Sequence, residues 1–100
     1  MEALEALRVR FADRLSGQLA RLTELISEDD HFLDRTEERK ELITLCHSIA
    51  GAAGTFGYPA LSVLASSLEE RLVYSEQVTV EEVRHAIQLL HLDAEILLPR

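Results

Sequence analysis

Hydrophobic residues recur at three- and four-residue spacing along four stretches of the chain, parted by short polar segments. That period is the mark of amphipathic helices. The first stretch runs from about Glu2 to about Ile26, with Leu4, Leu7, Phe11, Leu15, Leu19 (or Gln18), Leu22 and Ile26 on one stripe. Glu2 and Glu5 complement the positive end of its dipole. Gly17 either weakens this helix or marks close packing. Ser27-Glu28-Asp29-Asp30 then reads as a solvated loop, after which Phe32 and Leu33 tuck under the bundle end. Asp34 or Thr36 caps the second helix, and Asp34 with Glu37 has the capping-box spacing. Leu42, Leu45, Cys46, Ile49, Ala53 and Phe56 form its stripe. Gly57 stops it, and Pro59 suits the first turn of the third. Leu61, Leu64, Leu68 and Leu72 make the third seam. Tyr74-Ser75-Glu76-Gln77 is a short connection. Thr79 caps the fourth helix, with Glu82 at the third helical position and Val78 and Val83 placed as a hydrophobic staple. Val80, Val83, Ile87, Leu90, Ala94 and Leu97 complete the last stripe, and Pro99 ends it. Short connections favour antiparallel neighbours. The expected fold is therefore all-α, an antiparallel up-down-up-down four-helix bundle.

Composition narrows this further. One hundred residues suit a single domain over 1–100, and 47% hydrophobic content supports one core. Aromatics are 5% and Trp is absent, so that core must be built from Leu, Ile, Val and Ala. The formal net charge of −8 opposes nucleic acid and anionic membrane as partners. The lone cysteine, Cys46, lies on the apolar stripe and has no internal disulfide partner, which fits packing in a reducing compartment. No long apolar run occurs, and Met1 is followed by Glu2 and Glu5 rather than a basic and then apolar leader. The expectation is a soluble, cytoplasmic monomer.

The chemistry gathers in one stretch, Cys46 to Gly57. His47 is one residue, about 100° of helix, away from the buried stripe, which places it on the shoulder. Gly51 and Gly54 follow it by four and seven residues on the same strip. A mid-helix glycine costs about 0.5–1 kcal/mol relative to alanine. Two such glycines beside one histidine expose backbone and let another molecule approach the imidazole. Helix packing through small residues, which Ala50, Ala52 and Ala53 also suggest, is the alternative. On the third helix, Ser62, Ser66 and Glu69 share a strip. If that strip faces His47, Glu69 can accept a hydrogen bond from one ring nitrogen and leave the other as nucleophile. Otherwise Glu69 is an exposed carboxylate near Arg71. Other chemistries are poorly served. Glu82-Val83-Arg84-His85 supplies one Glu-x-x-His pair where a di-iron bundle needs two. One cysteine makes no zinc pattern, and the glycines lack the strand and Lys-Ser/Thr of a nucleotide loop. His91 has no evident partner. No metal and no cofactor are expected.

The run His47-Ser48-Ile49, Gly51 and Ala53-Gly54-Thr55-Phe56-Gly57 resembles the histidine-containing phosphotransfer (HPt) family. That family's pattern is a His with glycines four and ten residues on, here His47, Gly51 and Gly57. It is most similar to the phosphotransfer domain of chemotaxis histidine kinases. Leu61, Leu64, Leu68 and Glu69 fit the next helix of that family. The family's usual lysine three residues after the histidine is replaced by Ala50. Lys40 lies on the histidine's strip about two turns away, too far to stand in for it. The resemblance implies that His47 is the phospho-acceptor and that Glu69 orients its imidazole. Gly51, Gly54, Gly57, Lys40 and Thr44 form the expected partner-facing set. It also implies a phosphocarrier passing a phosphoryl group from a histidine kinase or a receiver-domain aspartate to another response-regulator receiver. Such a carrier is an intermediate rather than a complete enzyme, since the kinase and receiver supply the catalytic parts. The alternatives are an adaptor that docks on a kinase or receiver without carrying phosphate, and a structural dimerisation bundle.

Overall fold

A computed structural model describes residues 3–27, 29–95 and 97. Four α-helices and no strands occur among them: α1 (Ala3–Ser27), α2 (Thr36–Thr55), α3 (Pro59–Tyr74) and α4 (Val80–Ala94). A 3-10 turn, Phe32–Asp34, links α1 to α2. The helices form a four-helix bundle in which α1 packs on α2 and α4, and α3 packs on the same two. One apolar core runs between them. Leu15, Leu22, Leu42, Ile49, Leu61 and Leu90 have no solvent exposure, and no polar or charged described residue is buried.

The helix ends show which local signals held. Thr79 Oγ1 accepts the backbone N–H of Glu82, as the cap spacing predicts, and the staple residues Val78 and Val83 are buried. Glu82 turns its own carboxylate to Arg71 instead of back to the cap. At the end of α2, Gly57 has φ 84°. Its N–H donates to Gly54 O, and the Tyr58 N–H donates to Ala53 O at 2.8 Å. This is the Schellman arrangement, which needs a left-handed residue that glycine adopts without a Cβ penalty. Tyr58 and Phe56 both stack on Phe11 of α1, at 5.7 and 5.2 Å between ring centres. The turn that ends α2 is thereby pinned to α1.

Other expectations need correction. Leu4 and Leu7 are about half exposed, and burial on α1 begins at Phe11. At 25 residues α1 is ten longer than α4, and the described residues cover the apolar face of its first turns only in part. Leu25 joins Ile26 in the core instead. Gly17 faces open space, so it does not mark close packing. Neither Asp34 nor Thr36 caps α2. The cap position is Arg35, with no side-chain cap bond, because Asp34 is taken up by the 3-10 turn. Phe32 is fully buried as expected, while Leu33 is half-buried. On α3, Ala65 takes a buried place, and Leu64 is only half-buried. Glu2, Glu28 and Pro99 lie outside the described residues.

Two arginines do work that no local pattern signals. The Arg39 guanidinium donates to Leu72 O and Ser75 O at the end of α3. Arg84 donates to Ile26 O in the last turn of α1 and to Asp29 O just beyond it. Each supplies charge-assisted donors to carbonyls that a helix end leaves unpaired.

Candidate functional site

The site is built on the faces of α2 and α3 that meet beside the core. Cys46 and Ile49 point into the core and are fully buried, which turns the intervening His47 outward. Its side chain is 78% exposed. Across the joint, Leu68 anchors α3 in the core and the next residue, Glu69, is brought beside the imidazole. His47 Nδ1 lies 2.9 Å from Glu69 Oε2. A carboxylate only accepts, so Nδ1 carries a proton, and in the neutral ring the lone pair is on Nε2. The contact thus favours one tautomer of the neutral ring, with Nε2 as its basic nitrogen, on a largely exposed side chain.

The surrounding residues divide by helix. Ser62 Oγ donates to Ala50 O at 2.8 Å, which ties α3 to α2 one turn beyond the histidine. Ala50 is half-buried there, against α3. On the other flank, Gln18 Nε2 of α1 donates to Ser48 Oγ at 2.9 Å. His47 therefore sits on a ridge whose two neighbours, Ser48 and Ala50, are fastened to α1 and α3. Helix α2 is thus tied to both neighbouring helices beside His47, whose exposed imidazole contacts Glu69 of α3.

The two glycines of the strip are not equivalent. A Cβ at Gly51 would meet nothing within 4 Å, whereas one at Gly54 would lie 3.4 Å from Ser62 Oγ. Gly51 is open surface beside the imidazole. Gly54 is exposed and borders the α2–α3 joint, where a methyl would make only ordinary contact with Ser62. Gly57 closes the helix through its backbone. Thr44 is exposed one turn before His47. Lys40 is farther off and pairs with Glu37 at 3.8 Å. The fold thus brings His47, Glu69, Gly51 and Thr44 close together and leaves Lys40 outlying. We predict that Gly51→Ala raises stability by about 0.5–1 kcal/mol, because the methyl adds helix propensity without a clash. Urea unfolding checks this, and a fall in the midpoint would show that the position is closed.

The remaining titratable candidates are accounted for. Burial, and secondarily the Glu69 charge, push the Cys46 thiol up to about 12, so it stays protonated near neutral pH. His91 Nε2 lies 2.8 Å from Thr23 Oγ1, a partner that only the packing of α4 on α1 could reveal. Thr23 Oγ1 also donates to Leu19 O, so it accepts from His91. His85 is exposed. No group of three or more His, Cys, Asp or Glu able to hold a metal occurs among the described residues. No described helix is long and apolar enough to cross a membrane.

A family model described as Hpt domain matches residues 6–97. Comparison with curated proteins gives no match, and comparison with solved structures gives none either.

Proposed function

The chain belongs to the Hpt domain family, and from that premise we propose that it carries a phosphoryl group on His47 Nε2. Hpt domains serve histidine phosphotransfer in phosphorelays and interact with kinases and receiver domains. The observation that carries the residue assignment is the His47 Nδ1–Glu69 contact on an otherwise exposed imidazole.

The reaction follows from that geometry. Nε2 attacks the phosphorus of a donor, an N–P bond forms, and the donor's P–O bond breaks with its electron pair leaving on the donor oxygen. The ring becomes cationic, and its Nδ1–H points at the Glu69 carboxylate, which stabilises that charge. Transfer to a receiver aspartate reverses these steps. The exposed shoulder and the open backbone at Gly51 suit in-line approach by either partner. We assign Gly51, Gly54, Gly57, Thr44 and Lys40 to the partner-facing surface, with Gly51 and Thr44 nearest the reacting nitrogen. The chain is an intermediate whose partners supply the remaining catalytic groups.

We further read the bundle as antiparallel, up-down-up-down, and as one domain over 1–100. Cross-helix pairs support this: Arg21 meets Glu41 while Gln18 meets Ser48, and His47 meets Glu69 while Ser62 meets Ala50. In each case the numbers run in opposite senses on the two helices. The His47–Glu69 spacing, taken with the glycine pattern, supports a likeness to the chemotaxis-kinase phosphotransfer domain. A cytoplasmic monomer fits the acidic composition and the single buried cysteine.

The test is incubation with a panel of phosphorylated receivers, followed by detection of acid-labile phosphate on the chain. Phosphate uptake supports the carrier. Tight binding to a receiver without uptake from any receiver or kinase points to the adaptor. Glu69→Gln keeps shape and removes charge. We predict that it slows phosphorylation of His47 roughly tenfold, the weight of one charge-assisted hydrogen bond. An unchanged rate would mean that the carboxylate does not assist the ring.

A further inference from the structure

The described arginines fall into two groups. Arg21, Arg35, Arg39, Arg71 and Arg84 each engage a carboxylate or a helix-end carbonyl. Arg8, Arg10 and Arg14, all exposed on the N-terminal half of α1, engage no described residue. From residue 3 to residue 14 the only carboxylates are Glu5 and Asp13. This stretch is therefore locally positive in a chain of net charge −8.

The same stretch carries apolar surface that the bundle leaves uncovered. Leu4 is 53% and Leu7 47% exposed. Beside them lies a groove of about 270 Å³, lined by Leu7, Arg10, Phe11, Arg14, Ala52 and Phe56. Its floor is apolar and aromatic, and two unpaired guanidinium groups form its rim.

We propose that this groove docks an acidic segment of a protein partner, with an apolar side chain of that segment between Arg10 and Arg14 and flanking carboxylates on the two guanidinium groups. Arginine forks match carboxylates in bidentate geometry, and an apolar anchor in a pocket supplies the desolvated centre that such contacts need. A nucleic acid or an anionic lipid surface fits less well. An extended polyanion meets the whole acidic chain, whereas a short acidic segment is confined to the local field within a Debye length of about 8 Å.

The position gives this docking a use. Ala52 and Phe56 follow His47 by five and nine residues on α2, roughly 8–14 Å along the helix. A segment seated in the groove leaves the imidazole uncovered. It would hold a partner at high local concentration while His47 stays open to attack or transfer. The docking itself does not depend on phosphoryl transfer.

The test uses the full chain and a fluorescein-labelled peptide with leucines at i, i+4 spacing flanked by glutamates, read by fluorescence anisotropy. Binding is expected, weakening as salt is raised. Arg10→Glu with Arg14→Glu should weaken it roughly tenfold, and Leu7→Ser several-fold. All three positions are exposed, and circular dichroism checks that the variants remain helical. The same peptide with lysine in place of glutamate should not bind. No binding by the wild type, equal binding by the double variant, or preference for phosphatidylserine vesicles over the peptide would each overturn the proposal.

Discussion

His47→Gln is expected to reduce acid-labile phosphate on the chain to background, while Gln substitutions at His31, His85 and His91 leave labelling intact. The difference rests on surroundings. His47 alone combines an exposed ring, a carboxylate at 2.9 Å on one nitrogen and bare backbone one turn on. His31 stands in a loop with its Nδ1 3.6 Å from an Asp34 carboxylate that is itself largely exposed. His91 directs Nε2 to a threonine hydroxyl. Cys46, the nearest alternative nucleophile, is buried and held protonated. Glutamine retains hydrogen-bonding capacity but no nucleophilic nitrogen, so receiver affinity should change little. Ala50→Lys should raise the transfer rate or prolong the phospho-form, since it restores a cation beside the phosphoryl group. Labelling that survives His47→Gln would place the acceptor elsewhere.

Phe32→Ala is expected to remove about 3–5 kcal/mol of stability, the range for deleting a fully buried aromatic ring. Phe32 has no solvent exposure, and the Arg84 guanidinium lies over its ring at 5.7 Å to the centroid. It closes the end of the bundle where α1 passes into α2, so truncation opens a cavity and also loosens the support for Arg84, which holds the α1 carbonyls. Against a total of about 5–15 kcal/mol for an ordinary domain, this loss is large. The thermal midpoint should fall by roughly 12 °C or more, measured by circular dichroism. Leu4→Ser, at a half-exposed position, should shift stability by less than about 0.5 kcal/mol. A Phe32→Ala loss as small as that would mean the 3-10 turn does not close the core.

The sequence determined features whose causes lie within a few residues of one another. Apolar spacing marked four helices, the Thr79 hydroxyl marked the start of α4, and Gly57 marked the end of α2 because a left-handed residue is needed there. His47 was placed on the shoulder by its single-residue offset from Cys46. Glu69 was less legible. Spacing put it on one strip with Ser62 and Ser66, but which way that strip faced depended on how α3 rolls against α2. The HPt resemblance pointed to a contact that sequence spacing could only make possible. Tertiary structure alone decided the rest. It left Leu4 and Leu7 half exposed because, among the described residues, α1 outruns α4, and it drew Asp34 into a turn instead of a cap. It gave His91 a partner on α1 and sent Arg39 and Arg84 to distant helix ends. It also separated Gly51, which is open, from Gly54, which borders α3. The physical reason is common to all of these. A helical period fixes which residues share a face, but the length, roll and depth of the neighbouring helices fix what that face meets.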